Sequence, residues 1–141
     1  MTSVRLQNTL VKIDRGLASR HERTRWQAAI ALGEIAESDP ESVWILVVRH
    51  GSRRHKDVRV AIATCVLEHL LEHHFDAFFP RVATAVRSSR WFRDTFGFCY
   101  QLGQAKLPRN ARQWRKLQGV NEKRWQRLER MLREVDDEKA A

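Results

Sequence analysis

The feature that most constrains this chain is its overlay on itself at a spacing of 34 residues. Arg25, Arg59 and Arg93 fall in register. Four residues later come the small residues Ala29, Ala63 and Gly97, and seven later come Leu32, Val66 and Tyr100. Glu34 and Glu68 also correspond. A fixed period of this length marks a supersecondary unit that cannot bury its apolar face alone and must stack on its neighbours. Small residues at one point of each unit let a neighbouring helix approach, and the position three further on keeps the same face apolar.

The units are helical. Apolar residues recur at three- and four-residue spacing from end to end, strand signals are nearly absent, and Gly, Pro and Ser act as punctuation. The pattern predicts about eight helices, the first two over roughly 3–17 and 23–37. A third opens at Asp39-Pro40-Glu41, where Asp39 caps, Pro40 suits the first helical position and Glu41 faces the positive end of the dipole, and it ends near Gly51. Further helices are predicted over about 56–73, 76–88 and 91–104. Another follows Pro108 and stops near Gly119, and the last runs from Asn121 to about Asp136.

The run Arg25-Trp26-Gln27-Ala28-Ala29-Ile30-Ala31-Leu32-Gly33 resembles the second-helix pattern of the HEAT-repeat family: Arg, two variable positions, two Ala, two variable positions, Leu, Gly. Asp57-Val58-Arg59 resembles the family's Asp-Val-Arg lead-in. The resemblance covers about 23–104, is good in two copies and degrades in the third, where Phe96 and Gly97 replace the Ala pair. The short period is similar to the compact variety in phycobilisome-lyase-type proteins. It also equals the tetratricopeptide length, but the tetratricopeptide pattern does not fit these positions. The resemblance implies an all-α fold, an α-solenoid of about three helical hairpins, and a role in binding proteins or nucleic acids. The domains expected are 1–105 for the repeats, 106–136 for basic C-terminal helices packed on the last repeat, and 137–141 for a disordered tail.

Charge narrows the class of partner. The formal net charge is +9. Residues 106–133 hold 10 Lys/Arg against 2 Asp/Glu, while the last eight residues hold four acids and one Lys. So uneven a distribution points to an electrostatic contact with an anion, whether nucleic acid or an acidic protein. The longest apolar run, Val43 to Val48, is far below the roughly 20 residues a bilayer span needs, and the N-terminus has no apolar signal-peptide core. A cytoplasmic protein without a membrane role is expected.

The sharpest candidate site is the turn inside each hairpin, read as Ser19-Arg20-His21-Glu22-Arg23, Ser52-Arg53-Arg54-His55-Lys56 and Ser89-Arg90. Stacked hairpins would align these turns as a basic stripe, with the free N–H groups of the following helices pointing the same way. The ordinary alternative is a set of solvated turns. Arg25, Arg59 and Arg93 are expected to be structural instead, pairing with acids such as Asp57 or Glu22. On the C-terminal segment, Trp125, Leu128, Leu132 and Val135 share a helical face expected to pack, leaving the basic residues outward.

His69-Leu70-Leu71-Glu72-His73 matches a zinc-protease pattern, but a third ligand and a catalytic domain have no place here, so no metal is expected. Cys65 and Cys99 lie one period apart, too distant for a disulfide, and read as small core residues. Some alkylpurine DNA glycosylases are built of HEAT-like repeats, and Trp26, Trp91 and Asp94 supply the residue types of their site without a motif to match.

The reading is therefore a non-catalytic module without cofactor. It would hold DNA or RNA phosphates through Arg20, Arg23, Arg53, Arg54, Lys56 and Arg90, extended by Arg112, Arg115, Lys116, Arg124 and Arg127. An adaptor docking an acidic partner is the alternative, and a DNA glycosylase a minor one. The core is expected to contain Leu32, Ile35, Val66, Leu70 and Phe79.

Overall fold

A computed structural model of the chain describes residues 3–140, apart from the side chains of residues 120–122, 124, 125 and 140. It is all-helical, with no strand among the described residues. Helix α1 (Val4–Leu17) starts where the Ser3 hydroxyl accepts the Leu6 N–H, and it buries Ile13 and Leu17. Helix α2 (Glu22–Ile35) buries Ala28, Ala29 and Leu32 against α1. Helix α3 (Pro40–Gly51) opens on an Asp39 cap that accepts the Ser42 N–H, with Pro40 first in the helix, where a missing N–H costs nothing. Helix α4 (Lys56–Ile62), a π-helical turn (Ala63–Leu67) and α5 (Glu68–His73) follow without a break. Then come α6 (Phe75–Ser88), α7 (Arg90–Gly97), a 3-10 turn (Gly103–Lys106) and α8 (Pro108–Ala140).

Contacts between these elements follow the chain order. Helix α1 pairs with α2, α3 with α4, and α6 with α7; α2 also lies along α4 and the π turn, and α4 against α7. One continuous core results. Leu32, Val66 and Leu70 are completely buried, Phe79 nearly so, and Ile35 packs on the margin. Fully burying a Leu, Val or Phe is worth about 1.5–3 kcal/mol each, so this core outweighs any single polar contact described below.

The π turn was not legible in the periodicity. It holds one more residue per turn than an α-helix and turns the Cys65 carbonyl toward α2 at Gly33. A Cβ built on Gly33 would lie 1.9 Å from that oxygen. At Gly33 the two elements are thus too close to admit any side chain. Ala29 and Ala63 are fully buried, as their small size suggests, but Gly97 has open space around it.

The third unit departs from the pattern. Helix α7 ends at Gly97 instead of continuing to 104, and Tyr100, in register with Leu32 and Val66, is 72% exposed. The backbone N–H of Tyr100 instead donates to the buried carboxylate of Glu68 at 3.0 Å. Gly103 has φ +49°, a left-handed conformation that favours glycine, and this turns the chain into the 3-10 segment. Gln104 then fixes the corner: its Oε1 accepts the Phe75 N–H at 2.9 Å and its Nε2 donates to the His73 carbonyl at 2.7 Å.

The C-terminal segment differs most from expectation. Where the spacing predicts two helices parted at Gly119, the chain forms a single helix of 33 residues that runs on through the expected tail to Ala140. A lone Gly costs a helix only about 1 kcal/mol, and the Glu, Lys, Arg, Gln and Leu around it are strong helix formers. The start of α8 is anchored by Trp114, which sits 4.7 Å from Phe96 and 6.4 Å from Phe79 between ring centres, and by buried Leu117. Of the expected packed face, Leu128, Leu132 and Val135 are exposed, as is Met131 beside them, and the Trp125 side chain lies outside the described residues. Among the described residues no helix is long and apolar enough to cross a membrane.

Candidate nucleic-acid interface

Arg25 shows how the turns are held. Its Nε and Nη2 donate to Asp57 Oδ2 at 3.1 and 2.8 Å, while Nη1 donates to the carbonyls of Ser19 and Arg20 at 3.1 and 3.0 Å. The other Asp57 oxygen accepts the Trp26 indole N–H at 3.0 Å. One buried guanidinium thus clamps the first turn onto the start of α4. Burial pushes the Asp57 carboxyl up, but hydrogen bonds from Trp26 and Arg25 and the Arg25 charge together outweigh it and hold the pKa below its usual value.

The next rung is built differently. Trp91 stands one period after Asp57, so the buried Arg59 guanidinium meets an indole face at 5.0 Å and has its nearest carboxylate, Asp94, at 3.6 Å. The second Asp94 oxygen accepts from Arg93 at 3.0 Å. Asp94 is therefore an ion-pair partner of two arginines, as the structural reading of Arg59 and Arg93 expects. Glu22 forms no ion pair with Arg25.

Further contacts hold the turns. The first turn meets α4 through Arg25, and Arg53 Nη1 donates back to the Leu17 carbonyl at 3.0 Å. Thr95 Oγ1 of α7 donates to the Gly51 carbonyl at the end of α3 at 2.6 Å. The first turn is thus tied to the start of α4 and the end of α1 to the second turn, while α7, which follows the third turn, is tied to the end of α3. On these turns Arg20, Arg23, Arg54 and Lys56 are exposed and form no ion pair among the described residues. Arg90 is also exposed, 5.3 Å over the Trp91 ring and 4.0 Å from Glu129. That last contact brings α8 to the third turn. Arg112, Arg115, Lys116 and Arg127 are exposed on α8, and the Arg124 side chain lies outside the described residues.

Two expectations for these turns need correction. Arg53 is not a free surface cation, because its guanidinium caps the end of α1 and lies 3.2 Å from His50 Nδ1. The N–H groups at the helix starts are partly taken: His55 Nδ1 accepts the Val58 N–H and Ser89 Oγ accepts the Phe92 N–H, whereas α2 has no side-chain cap.

Beneath the second turn, Asp14 joins α1 to α3, accepting from Arg49 at 2.9 Å with His50 Nε2 at 2.7 Å. Burial lowers the His50 pKa, and Asp14 only partly offsets it. For Asp14, burial raises the pKa, and hydrogen bonds and charge from His50 and Arg49 overcome that and lower it.

The far ends of α2 and α5 have the opposite character. An open groove of about 400 Å³ is lined by Ile30, Gly33, Glu34, Glu37, Thr64, Cys65, His69 and His73. Glu72 Oε1 lies 3.1 Å from His69 Nδ1 and 3.3 Å from His73 Nε2, so both imidazoles of the His-x-x-Glu-His run face this carboxylate. Among the described residues no cluster of three His, Cys, Asp or Glu side chains is arranged to hold a metal ion. Cys65 and Cys99 are both free thiols, and Cys99 is buried. The π turn and Gly33 build this groove; no motif announces it. No family model, curated protein or solved structure matches the chain.

Proposed function

We propose that the chain is a short α-solenoid of HEAT-like hairpins, working in the cytoplasm as a non-catalytic module that binds the phosphate backbone of DNA or RNA. The observation that carries this reading is a division among its arginines. Those one step inside the hairpin turns, Arg25, Arg59 and Arg93, have acidic partners, whereas Arg20, Arg23, Arg54 and Lys56 have no acidic partner among the described residues. Cations without acidic partners are available to counter an extended anion. The groove along α2 and α5 carries Glu34 and Glu37 and no Lys or Arg, and is therefore less suited to the same ligand than the turns are.

Little on these turns is shaped to read base edges, so binding is expected to be weakly selective for sequence. With about five phosphates neutralised, the logarithm of the binding constant should fall against log salt with a slope of roughly −4 to −5 on duplex DNA. Fluorescence anisotropy with labelled duplex DNA and single-stranded RNA across a salt series tests this. The informative variant is Arg20→Glu with Arg54→Glu, because Arg53 supports the fold. Loss of affinity with a slope shallower by about two units supports the reading. Absence of binding at low salt sinks it, and capture of an acidic protein in a nuclease-treated pull-down would then favour the adaptor.

A further inference from the structure

We propose that the projecting half of α8 pairs with the same segment of a second copy, antiparallel, through Leu128, Met131, Leu132 and Val135. This goes beyond the phosphate-binding reading and does not rest on it. The four side chains recur at the i, i+3, i+4, i+7 spacing of a helix-pairing seam, and all are between 40% and 56% exposed. They follow the face that buries Trp114 and Leu117 at the start of the helix, and so extend a packing surface beyond the body that it packs on. From Leu117 to Ala140 the helix runs on for about 35 Å.

Charge along the helix selects the occupant and its direction. Residues 123–133 hold five Lys/Arg and one Glu, and residues 134–141 hold four acids and one Lys. A parallel copy would set like blocks side by side. An antiparallel copy sets the first part of each basic block against the acidic block of the other, although Arg130 and Arg133 of the two copies come level with one another at the centre. With Leu128 opposite Val135 and Met131 opposite Leu132, Asp136 of each copy comes level with Arg127 of the other. Asp137 and Glu138 then fall within a helical turn of Arg127. Within the chain, Arg127, Arg130, Arg133, Glu134, Asp136, Asp137 and Glu138 form no ion pair among the described residues, although several stand four apart; only Glu129 is engaged, with Arg90. Both charge blocks are therefore available to a partner.

The seam is short, so the association is weak, and it weakens further with salt. Sedimentation velocity over a wide concentration range at low and high salt reads it directly. The expected result is a rise from the mass of one chain to twice that mass at low salt, lost in Leu132→Glu. Helicity by circular dichroism should hold in that exposed-site variant. Arg127→Asp and Asp136→Lys should each weaken the dimer, and the double variant should restore it, as only the antiparallel register allows. A single-chain mass throughout, or a dimer indifferent to Leu132→Glu, overturns the proposal; absence of rescue overturns the orientation.

Discussion

Replacing Gly33 by Ala tests the packing of α2 on the π turn, because two opposed terms can be sized. In an ordinary helix the change is favourable by about 1 kcal/mol, since Ala loses less conformational freedom. Here the new methyl would sit 1.9 Å from the Cys65 carbonyl oxygen, whereas ordinary contact begins near 3.4 Å. The helices must therefore separate by about 1.5 Å. The obstructing atom is backbone, so no rotamer change relieves the clash. Separation also loosens Ala29, Leu32, Ala63 and Val66, all completely buried. Overpacking of a tight core costs typically about 1–3 kcal/mol, and an immovable neighbour places this case near the top of that range. The net loss is then about 2 kcal/mol, or roughly 8 °C in Tm for a domain of this size.

Urea and thermal unfolding followed by circular dichroism measure it. Gly119→Ala, whose new methyl meets nothing within 4 Å inside the long helix, should raise stability by up to about 1 kcal/mol. A Gly33→Ala protein as stable as the parent would refute the close approach, and with it the account of the π turn.

Other perturbations separate the roles assigned above. Arg53→Glu should cost about 1–3 kcal/mol by removing a charge-assisted bond to the Leu17 carbonyl, while Arg54→Glu should leave the urea midpoint unchanged and weaken nucleic-acid binding. The folded pKa of His50 is depressed, so the unfolded chain binds the additional proton; stability should be fully present above the ordinary histidine pKa and decline as pH falls from about 7 toward 5. His50→Gln should flatten that part of the pH profile in urea titrations at fixed ionic strength. Burial raises the pKa of both thiols, Cys99 well above its usual value, so a thiol reagent at pH 8 should modify Cys65 slowly and Cys99 only after denaturant is added.

Helix type and most boundaries were legible in the sequence because their causes are local. The apolar spacing of α1 and α6, the Asp39-Pro40 start of α3 and the Ser caps of α1 and α7 act within a few residues of themselves. Asp57 was also legible as a partner of Arg25, because it is an acid at the start of the following unit, whereas the equivalent position one period on is Trp91 and that contact does not repeat. Local signals misled where a tertiary contact or its absence decided the outcome. Gly97 and Tyr100 occupy positions that are buried in the earlier units but exposed here, because α7 ends early and nothing covers them. The apolar face of α8 looked like packed surface, yet among the described residues Trp114 and Leu117 are buried while Leu128, Leu132 and Val135 are exposed.

The candidate site divides in the same way. Sequence alone determined that the hairpin turns are basic, because charge is written in the residues themselves. Which of those cations are free only the tertiary structure decided. Arg53 and Arg54 are neighbours of one residue type, yet one reaches the carbonyl of Leu17, thirty-six positions away, and the other faces water. An acceptor that distant in the chain leaves no mark in the spacing around the donor, and neither does the carbonyl of Cys65 that leaves room only for glycine at position 33.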